Sequence, residues 1–377
     1  MALLKVLTIF GTRPEAIKMA PVIRQLKSRP ERFDVQVCVT AQHREMLDQV
    51  LQLFNIQPDI DLNIMKPNQS LADLTSAIFS RLDVVVRDFR PDWVLAQGDT
   101  TTVMVAALLA FYNRSRFGHV EAGLRTGDKW QPFPEEINRK VAGVVADLHF
   151  APTEWSKKNL LLENVPASNI LVTGNPVIDA LQWVAKQPYL DSELEKIGLP
   201  KNVLDGKRRI VLITAHRREN FGEPLNEVFS AIQELAEIYK DDVYFIYPVH
   251  MNPNVSEPAH RLLGNIPNVI LLPPLDYLPL VHILKRSALV LTDSGGLQEE
   301  APGLGVPVLV LRDVTERPEG VDAGTVRLVG TDRQKIISTA SLLLNDFGEH
   351  QKMARAVNPY GDGHASERIV LALDEMG

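Results

Sequence analysis

Cysteine is almost absent from this sequence, since Cys38 is the only one among 377 residues. No disulfide can therefore form within the chain, and a cysteine-based zinc site is excluded. Cys38 lies in the apolar run Val35–Val39, which favours a buried strand residue over a catalytic thiol. No apolar run reaches the roughly 18 residues that a membrane span needs. The apolar N-terminus has no signal-peptide order, so we expect a cytoplasmic protein without a membrane partner.

Basic residues are outnumbered by acidic ones, 40 Lys and Arg against 47 Asp and Glu, for a formal net charge of −7. This balance argues against broad binding to nucleic acid or anionic membranes, but it allows a local basic site for a small anion. The Gly-x-Gly-x-x-Gly fingerprint of dinucleotide cofactors is also absent. Asp59-Ile60-Asp61 resembles a metal motif but lies away from the expected strand ends. We therefore expect no metal and no redox cofactor.

Short apolar runs rich in β-branched residues alternate with amphipathic segments. The first series comprises Lys5–Phe10, Val35–Thr40, Trp93–Gln97, His119–Glu121, Leu148–Ala151 and Ile170–Thr173. The second comprises Arg209–Thr214, Val243–Tyr247, Val269–Leu272, Leu289–Thr292 and Val306–Leu311. Their continuous apolar character indicates burial on both faces, as in a parallel sheet covered by helices. Two series in 377 residues predict two α/β domains, each with a parallel sheet covered by helices, and a boundary near Gly174.

The first polar cluster after a predicted strand is "FGTRPEAIKMAP". Thr12 can cap a helix and Pro14 suits its first turn, so Arg13 lies at a helix N-terminus, where the dipole favours anions. Lys18 follows one turn later. The alternative is that both are ordinary surface cations. Pro21 is expected to interrupt or kink this helix.

Four acidic residues lie at predicted strand ends or at a predicted helix start. Asp99 in "QGDTTT" can be a helix cap or a site residue. Glu121 in "HVEAGLRTG" ends a strand, where a charge is costly unless it is used or paired. Glu135 and Glu136 follow Pro134, and one of them is expected to serve the helix start. Carboxylates at the ends of parallel strands indicate a ligand site, the usual position in such folds.

The second half of the chain has two further clusters. His216 ends a strand in "TAHRREN" and is either a core histidine or a titratable site group. In "LTDSGGLQEEAP", the Ser294–Gly296 turn can present amides at a helix start to a diphosphate, with Glu300 within reach of a ribose. The later segment "TERPEG" adds the cation Arg317. A plain strand-to-helix turn is the alternative.

Together these motifs resemble the non-hydrolysing bacterial UDP-N-acetylglucosamine 2-epimerases. "TAQHREML" and "PFPEEINR" complete the ordered set, which covers nearly the whole chain. The resemblance implies a glycosyltransferase-B-like fold of two Rossmann-like domains, residues 1–173 with the C-terminal helix 364–377, and residues 174–363. It also implies a UDP-sugar in the cleft between the domains and a homodimer.

The resemblance assigns a role to each matched residue. Phosphate ligands would be Arg13, Ser294, Gly295, Gly296 and Arg317, with Glu300 on the ribose and Leu275 and Leu280 near the base. The sugar-side catalytic and binding group would be Lys18, Asp99, Glu121, Glu135 and His216.

Some members of the family have a second, regulatory substrate site. Gln42, His43 and His250 fit that pattern. Glu45 and Asn68 stand where those members carry a glutamine and an arginine, so regulation by a second substrate molecule is left open.

Inversion at C2 of a sugar nucleotide is difficult because that C–H is not acidic. Elimination of UDP across C1–C2 would give a 2-acetamidoglucal, and re-addition would give the epimer. Cations must then stabilise the departing diphosphate, and carboxylates must move the C2 proton on both faces. A glycosyltransferase, a hydrolysing epimerase and a non-catalytic sensor of nucleotide sugars remain as rivals.

Overall fold

The computed structural model describes residues 3–40, 44–66 and 69–376. The chain forms two compact units, Met1–Ala180 with Tyr360–Gly377, and Leu181–Pro359. The predicted division, after residues 173 and 363, is seven residues before the first of these boundaries and four residues after the second. No helix of the described residues is long and apolar enough to cross a membrane.

The first unit contains a seven-stranded parallel sheet with strand order β3-β2-β1-β4-β5-β6-β7. Its strands are β1 Leu4–Phe10, β2 Phe33–Val39, β3 Ile60–Asp61, β4 Trp93–Gln97, β5 Arg116–Val120, β6 Leu148–Ala151 and β7 Ile170–Val172. Its helices are α1 Arg13–Lys27, α2 Arg44–Leu53, α3 Leu71–Phe89, α4 Thr101–Tyr112, α5 Glu135–Val145 and α6 Glu154–Leu162, and α7 Pro176–Ala185 begins in this unit and ends in the second. The order reverses between β1 and β4, which is where such sheets bind ligands.

The second unit contains a six-stranded parallel sheet with strand order β10-β9-β8-β11-β12-β13. Its strands are β8 Arg209–Thr214, β9 Val243–Pro248, β10 Val269–Leu272, β11 Ser287–Thr292, β12 Val308–Val310 and β13 Val326–Leu328. Its helices are α8 Asp191–Lys196, α9 Lys201–Leu204, α10 Glu223–Ile238, α11 Pro253–Leu263, α12 Tyr277–Arg286, α13 Gly295–Gly303, α14 Pro318–Asp322, α15 Arg333–Asn345 and α16 Phe347–Ala354. Here the order reverses between β8 and β11.

The two predicted parallel sheets are confirmed. The prediction succeeded because strands buried on both faces have continuous apolar sequences. Two strands were missed: β3 is only a two-residue edge strand, and β13 is a three-residue strand with Arg327 and Leu328 half-buried. Of the two outcomes expected at Pro21, the interruption was wrong, since α1 continues through it, and the kink stays a prediction. One oxygen of Asp59 accepts the backbone amide of Val37 at 2.8 Å.

The last helix, α17 Ala365–Glu375, belongs to the first unit and packs against α1, as predicted for the C-terminal segment. Its buried face includes Ile369, Val370 and Leu373. The carboxylate of Asp179 accepts the backbone amides of Ala365 and Ser366, at 3.2 and 2.8 Å. A side chain distant in sequence therefore satisfies the first amides of this helix.

Candidate active site

In the first unit, four of the predicted site residues follow three adjacent strands of the sheet. Arg13 and Lys18 lie on the helix after β1, Asp99 follows β4 and Glu121 follows β5. Because β1, β4 and β5 are neighbours and parallel, their carboxyl ends lie at one edge of the sheet. This edge includes the position where the strand order reverses.

Glu121 is the most constrained of these residues. Its backbone φ is +62°, a left-handed conformation that is uncommon for a residue other than glycine, and the residue is only 6 % exposed. The Lys18 ammonium donates to Oε1 and Oε2 at 2.6 and 2.7 Å. The Gln97 amide donates to Oε2, and the Asn175 amide donates to Oε1 at 2.8 Å. Strained backbone conformations that the surrounding structure maintains are typical of functional sites.

These contacts occupy both oxygens of the Glu121 carboxylate. An ionised carboxylate offers about four acceptor positions, and a protonated one offers fewer. Donors to both oxygens therefore fit the charged form, and the buried charge is compensated by Lys18. The carboxylate can accept a proton only after one donor, such as the Lys18 ammonium, moves away.

Asp99 is more accessible, with 28 % of its side chain exposed. The Arg139 guanidinium donates to Asp99 Oδ2, and the Asn138 amide donates to the Asp99 backbone oxygen at 2.9 Å. Asp99 is therefore fixed by two residues of α5, and it is not the N-cap of the helix that follows it. Thr100 is that cap, since its hydroxyl accepts the amide of Val103 at 3.4 Å.

Glu135 and Glu136 have different environments. Glu136 is fully buried, lies 3.3 Å from Arg139 Nη1, and accepts the backbone amides of Thr126 and Gly127 at 3.2 and 3.3 Å. Glu135 is the first residue of α5 and is half-buried. Glu136 therefore holds the neighbouring loop, and Glu135 is the one of the pair that solvent can reach.

Arg13 is the first residue of α1 and is half-buried, as expected for a cation at a helix N-terminus. The first turn is fixed by Glu15, which accepts the amides of Gly11 and Thr12 at 2.9 and 2.7 Å and the Thr100 hydroxyl at 2.6 Å. Burial raises the pKa of Glu15, and these hydrogen bonds oppose the rise. Glu15 thus ties the loop after β1 to the loop after β4.

In the second unit, Ser294 is the N-cap of α13 and Gly295 and Gly296 are its first two residues. The amides of Gly295 and Gly296 are at positions that have no acceptor within the helix itself. The Ser294 amide was expected to face a ligand, but it donates to the Thr292 hydroxyl at 2.9 Å. The anion-binding potential of the turn therefore rests on the two glycine amides.

Arg317 packs directly against this turn. A Cβ on Gly295 would lie 2.6 Å from Arg317 Nη1 and 2.8 Å from Cζ, so only glycine leaves room for the guanidinium. Glu299, which is 2 % exposed, pairs with Arg317 Nε and holds the side chain in place. The structure therefore brings a fixed cation to the helix start.

Tyr277 connects Glu300 of α13 to the segment that carries the predicted base-contact residues. Glu300 accepts the hydroxyl of the buried Tyr277 at 2.9 Å. Leu275 is in the loop before α12 and Leu280 is in its first turn, and both are half-buried. Tyr277 lies between them in sequence, so this short segment contributes both apolar side chains and a hydroxyl that orients Glu300.

His216 follows β8 and contacts the residue that follows β11. The amides of His216 and Arg217 donate to Asp293 Oδ2 at 2.7 and 2.8 Å. The rings of His216 and His250 are stacked, with centroids 5.4 Å apart and planes at 8°. Burial lowers the pKa of His216, with His250 and Arg217 acting in the same direction and Asp293 opposing it.

Sequence reasoning missed the residues that hold the predicted ones. They are Gln97, Asn175, Arg139, Asp293, Tyr277 and Glu299. Most are within or directly beside the motifs, so proximity to a strand end was the available signal. Of the predicted regulatory residues, His250 stacks on His216, while Gln42 and His43 lie outside the described residues. Within the described ranges, no group of His, Cys, Asp and Glu is placed to hold a metal ion.

Comparison with known proteins gives one consistent result. The family model of UDP-N-acetylglucosamine 2-epimerase matches residues 24–374. The UDP-N-acetylglucosamine 2-epimerase of Escherichia coli K12 is 54 % identical over 371 residues, 98 % of each chain.

Crystal structures that resemble the whole chain include the following two. One is of a UDP-N-acetylglucosamine 2-epimerase from Listeria monocytogenes, described as putative, with a TM-score of 0.91 and 50 % identity over 100 % of this chain and 97 % of that one. The other is the Neisseria meningitidis enzyme bound to UDP-N-acetylglucosamine, with a TM-score of 0.90 and 51 % identity over 99 % of this chain and 100 % of that one. The chain therefore belongs to the non-hydrolysing bacterial UDP-N-acetylglucosamine 2-epimerase family that its motifs predicted.

Proposed function

We propose that this chain interconverts UDP-N-acetylglucosamine and UDP-N-acetylmannosamine by eliminating UDP and adding it back. The main support for this activity is that the chain is 51 % identical, over 99 % of its length, to an enzyme whose structure contains bound UDP-N-acetylglucosamine. The elimination route rests on the chemistry of the site residues.

In the first step, a carboxylate removes the C2 proton while the C1–O bond to UDP breaks. The C–H electron pair becomes the C1=C2 double bond of 2-acetamidoglucal, and the C1–O pair leaves with UDP. In the return step, a diphosphate oxygen bonds to C1 and a carboxylic acid protonates C2 on the opposite face. Atoms and electrons balance without a redox partner, and the expectation of no redox cofactor stays a prediction.

The departing diphosphate is assigned to Arg13, Arg317 and the start of α13. The Gly295 and Gly296 amides and the helix dipole stabilise negative charge, and the position of Arg317 is fixed by Glu299. These groups interact most strongly with UDP when it carries the full charge of the leaving group, which favours elimination.

The proton-transfer role is assigned to Asp99, Glu121 and Glu135. Asp99 is partly exposed and Glu135 is half-buried, so both can meet a sugar without leaving their positions. Glu121 must first release a donor, and we propose that Lys18 turns from Glu121 to the substrate. The Glu121 carboxylate then acts in proton transfer, and the Lys18 ammonium binds the sugar.

The nucleoside is assigned to Glu300, Leu275 and Leu280. Glu300, oriented by Tyr277, would accept ribose hydroxyls, and the two leucines would pack on the uracil ring. Regulation by a second substrate molecule, through Gln42, His43 and His250, stays a prediction, as does the cytoplasmic location.

A homodimer is the proposed assembly. Large apolar side chains are exposed near the ends of the adjacent helices α4 and α5, with Phe111 66 %, Tyr112 63 % and Val144 89 % exposed. Such residues on neighbouring elements are typical of interaction surfaces. Sedimentation equilibrium tests the proposal, and a monomer at all concentrations would contradict it.

The function is tested by incubating the purified protein with UDP-N-acetylglucosamine in D2O and following the reaction by NMR. We expect UDP-N-acetylmannosamine with deuterium at C2. Release of UDP with free sugar would indicate a hydrolase, and absence of exchange would indicate a sensor or a glycosyltransferase. A product without deuterium at C2 would contradict the elimination route.

Glu121→Gln keeps the shape of the side chain but removes its charge. We expect a loss of exchange of about 100-fold or more, typical of acid–base groups, with UDP affinity retained. The matched control is Glu136→Gln. We expect this change to lower the free energy of unfolding, while the protein that remains folded keeps most of its exchange activity. Full activity of Glu121→Gln would remove Glu121 from the catalytic set.

A further inference from the structure

Asp293 is the residue between β11 and the Ser294 turn, and it is completely buried. Its Oδ2 accepts two backbone amides from the neighbouring strand end, those of His216 and Arg217. Asp293 therefore connects the ends of β8 and β11, the two strands between which the sheet order reverses. The backbone that carries His216 is fixed by these bonds.

The other oxygen has a different environment. Asp293 Oδ1 is buried and has no hydrogen-bond partner within the described residues, and His216 Nδ1 is 3.5 Å away. A buried carboxylate oxygen without a donor is costly. A small rotation of the imidazole would bring an Nδ1–H group into hydrogen-bond range.

His250 limits how the His216 ring can move. The two rings are stacked nearly parallel, so His250 covers one face of His216. His250 Nδ1 accepts the amide of Asn252 at 3.1 Å, which fixes the orientation of the His250 ring. The stack permits in-plane movement of His216 toward Asp293 but opposes flipping of the ring.

We propose that Asp293 is the positioning residue for His216. Its Oδ1 accepts the Nδ1–H of the imidazole and leaves Nε2 as the nitrogen that meets the substrate. In a neutral imidazole, the hydrogen bond made by one nitrogen decides which nitrogen is free to accept. The inference rests on the proposed role of His216 in the site.

The charges around His216 specify the kind of contact that Nε2 makes. Asp293 favours the imidazolium, whereas burial, His250 and Arg217 oppose it, and the pKa of His216 is below its ordinary value. The Tyr247 hydroxyl, which is near Asp293, donates to the Ala215 backbone oxygen at 2.6 Å. With the proton on Nδ1, a neutral ring presents a lone pair at Nε2, which can accept a hydroxyl hydrogen or a proton from the sugar.

The first test uses the wild-type protein labelled with 15N-histidine. Long-range 1H–15N NMR spectra distinguish the two neutral tautomers, and the His216→Gln variant identifies the His216 signals. We expect the Nδ1–H tautomer at pH 7.5. The Nε2–H tautomer, or an imidazolium at that pH, would overturn the inference without touching the proposed epimerase activity.

The second test is a double-mutant cycle with Asp293→Asn and His216→Gln. An asparagine can accept the two backbone amides with its oxygen, so its NH2 group would face Nδ1 and force the proton onto Nε2. We expect turnover to fall about 100-fold or more, the range of acid–base groups, with UDP affinity nearly unchanged.

In the His216→Gln background, the same Asp293→Asn change should cost little further activity, because groups that act as a unit are not additive. Equal losses in both backgrounds would show that Asp293 acts only through the fold and would overturn the inference. Full activity of His216→Gln alone would instead refute the proposed role of His216, while the NMR result would still report on the hydrogen bond.

Discussion

Replacing Gly295 with alanine should separate ligand binding from stability. The new Cβ would lie 2.6 Å from Arg317 Nη1 and 2.8 Å from Cζ, closer than van der Waals contact permits. The guanidinium must move away, and its pairing with the buried Glu299 weakens. Loss of one charged hydrogen bond to a phosphate is worth about 1.5–3 kcal/mol. This corresponds to a UDP dissociation constant about 10- to 150-fold higher.

Stability should fall less than UDP affinity, because glycine loses more conformational freedom on folding than alanine, a difference of at most about 0.5–1 kcal/mol that partly offsets the weakened Arg317–Glu299 pair. Isothermal titration calorimetry with UDP and urea unfolding provide the two measurements. Arg317→Ala and the double variant complete the design, since Gly295→Ala should add little once the guanidinium is absent. A UDP dissociation constant of Gly295→Ala within about twofold of the wild-type value would refute the packing argument, since about 1.4 kcal/mol corresponds to a tenfold change. Normal binding by Arg317→Ala would refute the phosphate role itself.

Three further outcomes are expected. Burial lowers the pKa of His119 and of His149 from 6.5 to about 4. Because the unfolded chain takes up these protons first, stability should fall from pH 6.5 toward pH 4 by up to about 1.4 kcal/mol per pH unit for each histidine. His149→Gln should reduce that slope in urea unfolding, and an unchanged slope would contradict the assignment. Asp179→Ala leaves the amides of Ala365 and Ser366 without their acceptor and should lower the free energy of unfolding by about 1–3 kcal/mol. Asp179→Asn should lower it less, and equal losses would be evidence against the role of Asp179 as acceptor at the start of α17. Burial raises the pKa of Cys38 to about 12, so Ellman's reagent should react only after unfolding, and fast labelling of the native protein would disprove its burial.

Much of the site could be located from sequence because parallel strands place their carboxyl ends at one edge. A polar residue after a buried run, such as Asp99 or His216, therefore had a predictable position within its unit. The partners of these residues could not be predicted in the same way. Asn175 reaches Glu121 across 54 residues of sequence, and this contact exists only after β5 and the start of α7 have been assembled.

The sequence also could not distinguish Glu135 from Glu136. Both follow Pro134, and either suits the first turn of a helix. Tertiary packing buried Glu136 against Arg139 and left Glu135 accessible, because the helix face determines which side chain meets the loop at Thr126. Pro21 shows the same limit, since the predicted interruption did not occur and the proline packs in the core face of α1.

The sequence by itself determined the fold class, the strand ends and the residue types of the site, because burial periodicity and helix-start chemistry are local properties. Tertiary structure alone decided how each charge is compensated. It placed Lys18, Gln97 and Asn175 on Glu121, and it brought Asp293 Oδ1 to 3.5 Å from His216 Nδ1. The physical reason is that a buried charge is stabilised by the donors that the fold brings to it, and these donors come from segments far apart in the chain.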